Sequence, residues 1–461
     1  KCRRIDSSIE MLIDSKRLSA GRWAVADALD RFLSSDDRAA LRAPIEGASP
    51  FPNVAYTSQA YFDLEVERVF ARSWVAVGFS PSLPKPGDVQ PLWIFGFPIL
   101  TVRDDEGTIR VFHNIGAHDG CPVVTERASG LQQLVSPYHG WTYDLRGRLI
   151  AAPYWDGRKD ADLSPLHRRG VDLKEIRSGI WCDMVFINLS GQAPPLEEFL
   201  APLIEFYADY DFSRLEMAFD SEDGDGIHRF QARANWKALW ENYAPDVYHE
   251  AFVHPMYRKS NHVPRVDQAG RKTYREVNDR GLMGLAFETD AVPSTYPAVR
   301  LPRIRYKSNG QPVATSTIFN MYPNLAFLVF PTRVRPSILI PHGPDDCEWL
   351  LATFYTDGAA TDPAWRKERD ATLAASAAAR IEDDRVCEAV QRARRSPVYR
   401  KRFYSPFWEN MLYSFNRRIL DDLERACSEC PANGKNDDRN WHDSDHSAQD
   451  LSGRLCARVR K

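Results

Sequence analysis

Apolar residues alternate with polar ones over the first half of this chain and recur at helical spacing over parts of the second. Trp93-Ile94-Phe95, Ile99-Leu100-Thr101-Val102 and Ile109-Arg110-Val111-Phe112 read as short strands, with Asp105-Glu106-Gly107 turning one hairpin. Trp141-Thr142-Tyr143 and Leu149-Ile150 flank another turn at Gly147. The run from Ile180 to Ile187 is expected as the strand that closes this β-rich stretch. Before it, Tyr61, Phe62, Val66, Val69 and Phe70 predict a helix capped by Thr57 or Ser58. Downstream, helical patterns cover 196–210, 236–249 and 365–394, and strands are expected at 315–321, 325–330, 337–340 and 349–354. The expected class is α+β. Four segments follow: an amphipathic helical arm at 1–49, with Met11, Leu12, Trp23, Ala26, Leu29 and Phe32 as its apolar points; a β-rich domain at 50–190; a mixed domain at 191–430; and a polar tail at 431–461, expected to be disordered.

Composition narrows the function classes. The 461 residues exceed one ordinary core, and a net charge of −3 implies no attraction to nucleic acid or anionic membrane. No apolar run reaches transmembrane length, and the N-terminus lacks a signal-peptide apolar region. Cysteines at 2, 121, 182, 347, 387, 427, 430 and 456 form no disulfide framework, which suits a reducing cytoplasm.

Candidate chemistry lies in three places. The first is a pair of segments, Asn114-Ile115-Gly116-Ala117-His118-Asp119-Gly120 and Ser136-Pro137-Tyr138-His139-Gly140-Trp141. A Rieske two-iron two-sulfur cluster takes Cys-x-His and Cys-x-x-His, two thiolates on one iron and two imidazoles on the other. Both histidines and their spacing are present, but Gly116 and Ser136 stand at the cysteine positions. Glycine offers no ligand, and a serine hydroxyl replaces a thiolate poorly. The expectation is therefore that no such cluster forms and that His118 and His139 remain as hydrogen-bonding groups. Cys121 follows three residues after His118, at a position that is not a ligand position of the motif.

The second place is 235–255, with His249 and His254 five apart, and it needs a carboxylate to complete a two-histidine, one-carboxylate Fe(II) triad with open positions for dioxygen. In Arg380-Ile381-Glu382-Asp383-Asp384-Arg385-Val386-Cys387, Asp383 shares a helical stripe with Val386, Cys387 and Val390, whereas Glu382 and Asp384 lie off it. A carboxylate aimed into a core is costly unless paired or metal-bound. On the 236–249 helix Asn242, Asp246 and His249 fall at i, i+4 and i+7 and share one face, with a kink or bulge expected at Ala244 before Pro245. The third place is Cys427, Cys430, His442 and His446, which nearly fit a zinc finger but enclose no apolar pair to pack one, so structural zinc is not expected.

Taken together, the broken cluster motif and the histidine segment resemble the α subunit of Rieske non-heme iron (ring-hydroxylating) oxygenases, over about 50–423. The Trp-Thr-Tyr-Asp run after His139 and Tyr404-Ser405-Pro406 are similar to the branch built from one subunit type, which includes choline and betaine monooxygenases. The resemblance implies a β-rich Rieske-like domain followed by a helix-grip (START-like) catalytic domain, an antiparallel sheet wrapped on a long helix. It implies Asp383 as the third iron ligand, and Asp246 as a residue bridging His249 to His139 of a neighbouring subunit in a homotrimer; with the cluster missing, Asp246 is expected only to support His249, with no role in electron flow. It also implies electrons from NAD(P)H through a reductase. Without the cluster relay, three readings remain. The iron site can use electrons from the substrate or another reductant. It can be fed by a cluster-bearing partner subunit. Or the chain is a pseudoenzyme or non-redox binding module. Aromatics such as Trp240, Tyr243, Phe252, Tyr257, Phe319 and Tyr322 suit an apolar or cationic organic substrate.

Overall fold

The computed structural model describes residues 28–243, 247–255, 263–288, 300–399, 402–428 and 449–450. The strands of the first half form three small antiparallel arrangements. Val89–Ile94, Phe97–Arg103 and Ile109–His113 make one meander, and Leu134–Val135, Thr142–Tyr143 and Leu149–Ala151 a second. These two hairpin layers share a small core of their own, built from Val89, Leu100, Val102, Phe112, Leu134, Trp141 and Tyr143. Asp104 accepts from the backbone N–H groups of Glu106 and Thr108, so the Asp105-Glu106-Gly107 turn is held by the side chain before it. The turn at Gly147 carries φ +82°, and a Cβ there would lie 2.7 Å from the Phe112 ring, so only glycine fits.

The apolar run 180–187 is not one strand. It is a hairpin of Arg177–Trp181 and Met184–Asn188, with Val75–Phe79 paired to its outer edge. Cys182 and Asp183, both at positive φ (46° and 63°), form its two-residue turn. Neither is a glycine, which is why the pattern reads as unbroken. Trp181 packs against Phe327 in a tilted pair, ring centroids 5.2 Å apart, and joins this sheet to the main core.

That main core belongs to a nine-stranded antiparallel sheet. From Glu216–Met217 its path runs through Phe354–Tyr355, Arg333–Gly343, Leu325–Phe330, Thr315–Met321 and Leu282–Glu288 to Arg275–Asp279, and Asp346–Leu351 joins Arg333–Gly343 to His228–Ala232. The helix Arg366–Arg394 lies along the sheet, as a grip of strands on a long helix requires. Its buried face differs from the expected stripe. Val386 and Val390 are 38% and 40% exposed, and the inward positions are Thr372, Ser376, Arg380, Cys387, Gln391 and Arg394. Asp383 falls between Arg380 and Cys387 on that polar inner face. A second helix, Asn410–Ser428, is unassigned in the reading above, although Met411, Leu412, Phe415, Ile419, Leu420 and Leu423 bury one side of it.

The helix predicted at 236–249 ends at Tyr243, and the short helix Glu250–Val253 begins after His249. Residues 247–249 are not helical, so His249 stands outside that helix, and the face expected through Asn242, Asp246 and His249 falls in part on Asp246, which with Ala244 and Pro245 lies outside the described residues. Leu29, Leu33 and Leu41 of the N-terminal segment are buried in the main core, while Met11, Leu12, Trp23 and Ala26 lie outside the described residues. In the tail, Cys430, His442 and His446 also lie outside them, and Gln449–Asp450 pairs in parallel with Gly179 and Ile180 rather than being structureless. Among the described residues no helix is long and apolar enough to cross a membrane.

Candidate metal centre

The segment bearing the histidines hangs from a helix held by buried charge. Asn235 caps Trp236–Tyr243, its Oδ1 accepting from the Lys237 backbone N–H at 3.0 Å. Lys237 Nζ donates to Glu65 Oε1 at 2.6 Å with both side chains fully buried, and Trp236 Nε1 donates to the other Glu65 oxygen at 2.9 Å. One turn on, Glu241 accepts from Tyr56 Oη (2.6 Å), Asn416 Nδ2 (3.1 Å), Arg394 Nη2 (3.1 Å) and Arg402 Nη1 (2.5 Å). Burial pushes the Glu241 carboxyl up, but Arg402 and Arg394 outweigh it and hold it at about 2. The helix is thus tied to the N-terminal segment, the long helix and the last helix at once.

Beyond the break, Glu250 is buried in a two-pronged pair with Arg265 at 2.6 and 2.9 Å, which anchors the short helix between the histidines. His249 precedes that helix and His254 follows it in extended conformation. Their rings lie 5.4 Å apart. Asp383 Oδ1 sits 3.4 Å from His249 Nε2 and 3.3 Å from His254 Nε2. This oxygen is buried and has no hydrogen-bond partner among the described residues. A buried anionic oxygen facing two imidazole nitrogens is the arrangement of a cation's donor set. His249, His254 and Asp383, widely separated in sequence, are therefore brought together as expected, and the donor set fits Fe(II).

Glu382 was read as off the site's face, yet its Oε2 lies 2.9 Å from His254 Nδ1. A proton on Nδ1 then leaves the Nε2 lone pair turned to Asp383. The legible signal was chemical: a ligating histidine needs a partner on its other nitrogen, and the neighbouring acid is the nearest candidate. Asp384, the other neighbour, is pushed up to about 6 by burial and by Asp383, against the pull of Arg380. Asn242 lies half-buried on the last turn of its helix. Asp246 lies outside the described residues.

At the other end of the molecule, His118 Nδ1 and His139 Nδ1 lie 3.2 Å apart at the surface, and Asp119 Oδ2 lies 2.5 Å from His139 Nδ1. Asp119, passed over in the sequence, holds the pair. His118 stacks on Trp141. Ser136 is 3% exposed and its hydroxyl has no partner. A Cβ at Gly116 would approach the Cys121 carbonyl oxygen to 3.2 Å, and Cys121 points its sulfur at the Pro122 carbonyl, outside the histidine group. These residues offer two imidazoles and a carboxylate, and no thiolate, so they do not fit a Rieske cluster.

Residues 219–425 match the family described as ring hydroxylating alpha subunit (catalytic domain), and residues 73–162 match the Rieske [2Fe-2S] domain. The glycine betaine monooxygenase oxygenase subunit of Chromohalobacter salexigens is 28% identical over 84% of this chain and 89% of its own. The anthranilate 1,2-dioxygenase large subunit of Burkholderia cepacia is 25% identical over 78% of this chain and 88% of its own. A solved quaternary ammonium Rieske monooxygenase shares the fold, with a TM-score of 0.64 over 88% of this chain and 100% of that one at 20% identity. The chain thus carries a Rieske-type domain and a ring-hydroxylating α-subunit catalytic domain, and its homologues are Rieske oxygenases, which are oxidoreductases.

Proposed function

We propose that this chain is a mononuclear non-heme Fe(II)-dependent oxygenase of a small organic substrate, working without a two-iron two-sulfur cluster of its own. The observation that carries the reading is the buried Asp383 oxygen, without a hydrogen-bond partner among the described residues, with His249 Nε2 and His254 Nε2 at 3.4 and 3.3 Å. These three residues would hold the ion, which supplies the site where dioxygen is bound and reduced. Glu382 orients the His254 ring, and the paired Glu250 and Arg265 keep the two histidines at a set separation. The reading without a cluster rests on Gly116 and Ser136, since no cysteine stands at either thiolate position of the motif. Electrons then come from the substrate or from another small reductant. Insertion of both oxygen atoms with cleavage of a carbon–carbon bond balances with no further electrons, whereas hydroxylation by one atom, the other leaving as water, and cis-dihydroxylation by both each require two electrons and two protons.

We further propose a homotrimer arranged head to tail. Two sets of exposed aromatics support it: Tyr138, Tyr154 and Trp155 around His118 and His139, and Tyr248, Phe252 and Phe407 on the segments near the iron triad. The test is a metal and acid-labile sulfide assay on protein purified without oxygen. One iron per chain and no sulfide is expected. Rieske-type absorption with sulfide near two per chain would overturn the cluster-free reading, and absence of iron would overturn the oxygenase.

A further inference from the structure

The two loops that carry His118 and His139 keep a closed shape although glycine and serine stand at the thiolate positions of the motif. The Gly116 N–H donates to the Cys121 carbonyl and the Gly120 N–H to the Gly116 carbonyl, both at 2.9 Å, which closes the first loop. The Ser136 N–H donates to the Trp141 carbonyl at 2.8 Å and the Gly140 N–H to the Ser136 carbonyl at 3.1 Å, which closes the second. The side chains are held as well. His118 lies edge-on to Trp155 in addition to its stack on Trp141, and Tyr138 lies against the His139 ring with centroids 3.8 Å apart. Asp119 Oδ1 accepts from the Cys121 backbone N–H at 2.9 Å, which leaves Oδ2 for the imidazoles. Three atoms therefore converge: His118 Nδ1 and His139 Nδ1 at 3.2 Å, His139 Nδ1 and Asp119 Oδ2 at 2.5 Å, and His118 Nδ1 and Asp119 Oδ2 at 3.6 Å. Ring protons do not account for all three contacts. If His139 Nδ1 gives its proton to Asp119 it has no lone pair left for His118, and 3.6 Å is too long for His118 to donate to Asp119. If the proton is on His118 Nδ1 instead, His139 and Asp119 turn lone pairs on each other at 2.5 Å. One cation satisfies all three atoms together.

We propose that His118 Nδ1, His139 Nδ1 and Asp119 Oδ2 bind a single Zn(II) ion, with the fourth position left to water, and that this ion pins the two loops together. The inference rests on the cluster-free reading and says what the same loops hold instead. Two imidazoles and a carboxylate oxygen are zinc donors and need neither sulfide nor a second metal. Asp119 is at no ligand position of the Cys-x-His and Cys-x-x-His motif, so this donor set is not that of the cluster. Two donors at about 2.0–2.1 Å from one zinc lie about 3.4 Å apart in a tetrahedron. The separations of His118 Nδ1 from the other two atoms fit, and only the edge between His139 and Asp119 has to open. Both imidazoles are part-exposed, which lets the ion enter from solvent. Such a set holds Zn(II) more tightly than Fe(II), so the site adds zinc and not iron to the protein.

The experiment strips the full chain of metal with a chelator, supplies zinc chloride alone, removes loose ions by gel filtration and counts zinc per chain. Two ions are expected, one here and one in the set of His249, His254 and Asp383. Asp119→Ala and His249→Ala should each keep one, and the double variant none. A second measurement needs no variant to fold. Zinc should shield His118 and His139 from diethyl pyrocarbonate in the unsubstituted protein, read residue by residue by mass spectrometry, because Nδ1 then carries the ion and Nε2 the proton. Equal zinc counts in the unsubstituted protein and Asp119→Ala, or unchanged modification of both histidines, overturns the proposal. Acid-labile sulfide separates the two readings. Equal counts with no sulfide overturn the zinc site and leave the cluster-free reading standing, whereas sulfide near two per chain in protein purified without oxygen overturns both.

Discussion

A carboxylate oxygen shut away from water beside two imidazoles is the residue-scale basis of the site. Asp383→Ala and His249→Ala should each reduce bound iron from one per chain to near zero while leaving circular dichroism unchanged; iron retained in Asp383→Ala would move the ligand assignment to another acid. Glu382→Gln should weaken iron binding by about 10–100-fold without abolishing it, measured by competition with a chelator, because it removes the charge behind His254 Nδ1 and not a ligand. His249, His254 and Asp383 were legible from the sequence because metal chemistry restricts residue type. An apolar stripe does not account for the inward turn of Asp383: Val386 and Val390 face solvent, and Asp383 is inward because Arg380 and Cys387 are. Glu382 and Asp119 were illegible for one reason. Each acts through a histidine that only folding brings near, and acidic residues beside a motif ordinarily belong to the solvated surface.

At the scale of elements, the helix Trp236–Tyr243 is fixed by two buried charge clusters, and both have measurable consequences. Glu241 is held at about 2, against about 4.3 in an unfolded chain. A depressed carboxyl contributes stability that is present in full above the unfolded value and is lost as pH falls toward the folded one. Urea unfolding should therefore show stability falling between about pH 4.3 and pH 2, and Glu241→Gln should flatten that fall. At neutral pH the same variant should cost about 3–5 kcal/mol, since it leaves Arg394 and Arg402 buried with a neutral partner. Most strands of both halves were legible from their alternation. The hairpin within 177–188 was not, because its turn uses Cys182 and Asp183 where a glycine would have marked it. Nor was the non-helical conformation of 247–249, where apolar periodicity ran on past the helix.

For the whole molecule, the prediction is a homotrimer by light scattering, weakened by Tyr138→Glu or Phe252→Glu, since each puts a charge into an exposed aromatic patch. A monodisperse monomer in the unsubstituted protein would remove the ring. Turnover that needs a reductase and a second, cluster-bearing chain would instead favour a mixed assembly. The domain order was legible from the clustering of strand and helix patterns; the join made by Trp181 and Phe327 was not, because it depends on two sheets meeting. The two patches are different surfaces, so any contact between them is heterologous, and such contacts close into a ring only at the right rotation angle. A substitution that alters the tilt of one patch while keeping it apolar would then not simply release soluble subunits. It would leave each chain with one sticky end of either kind, and open filaments would grow with protein concentration where the parent stops at a fixed mass.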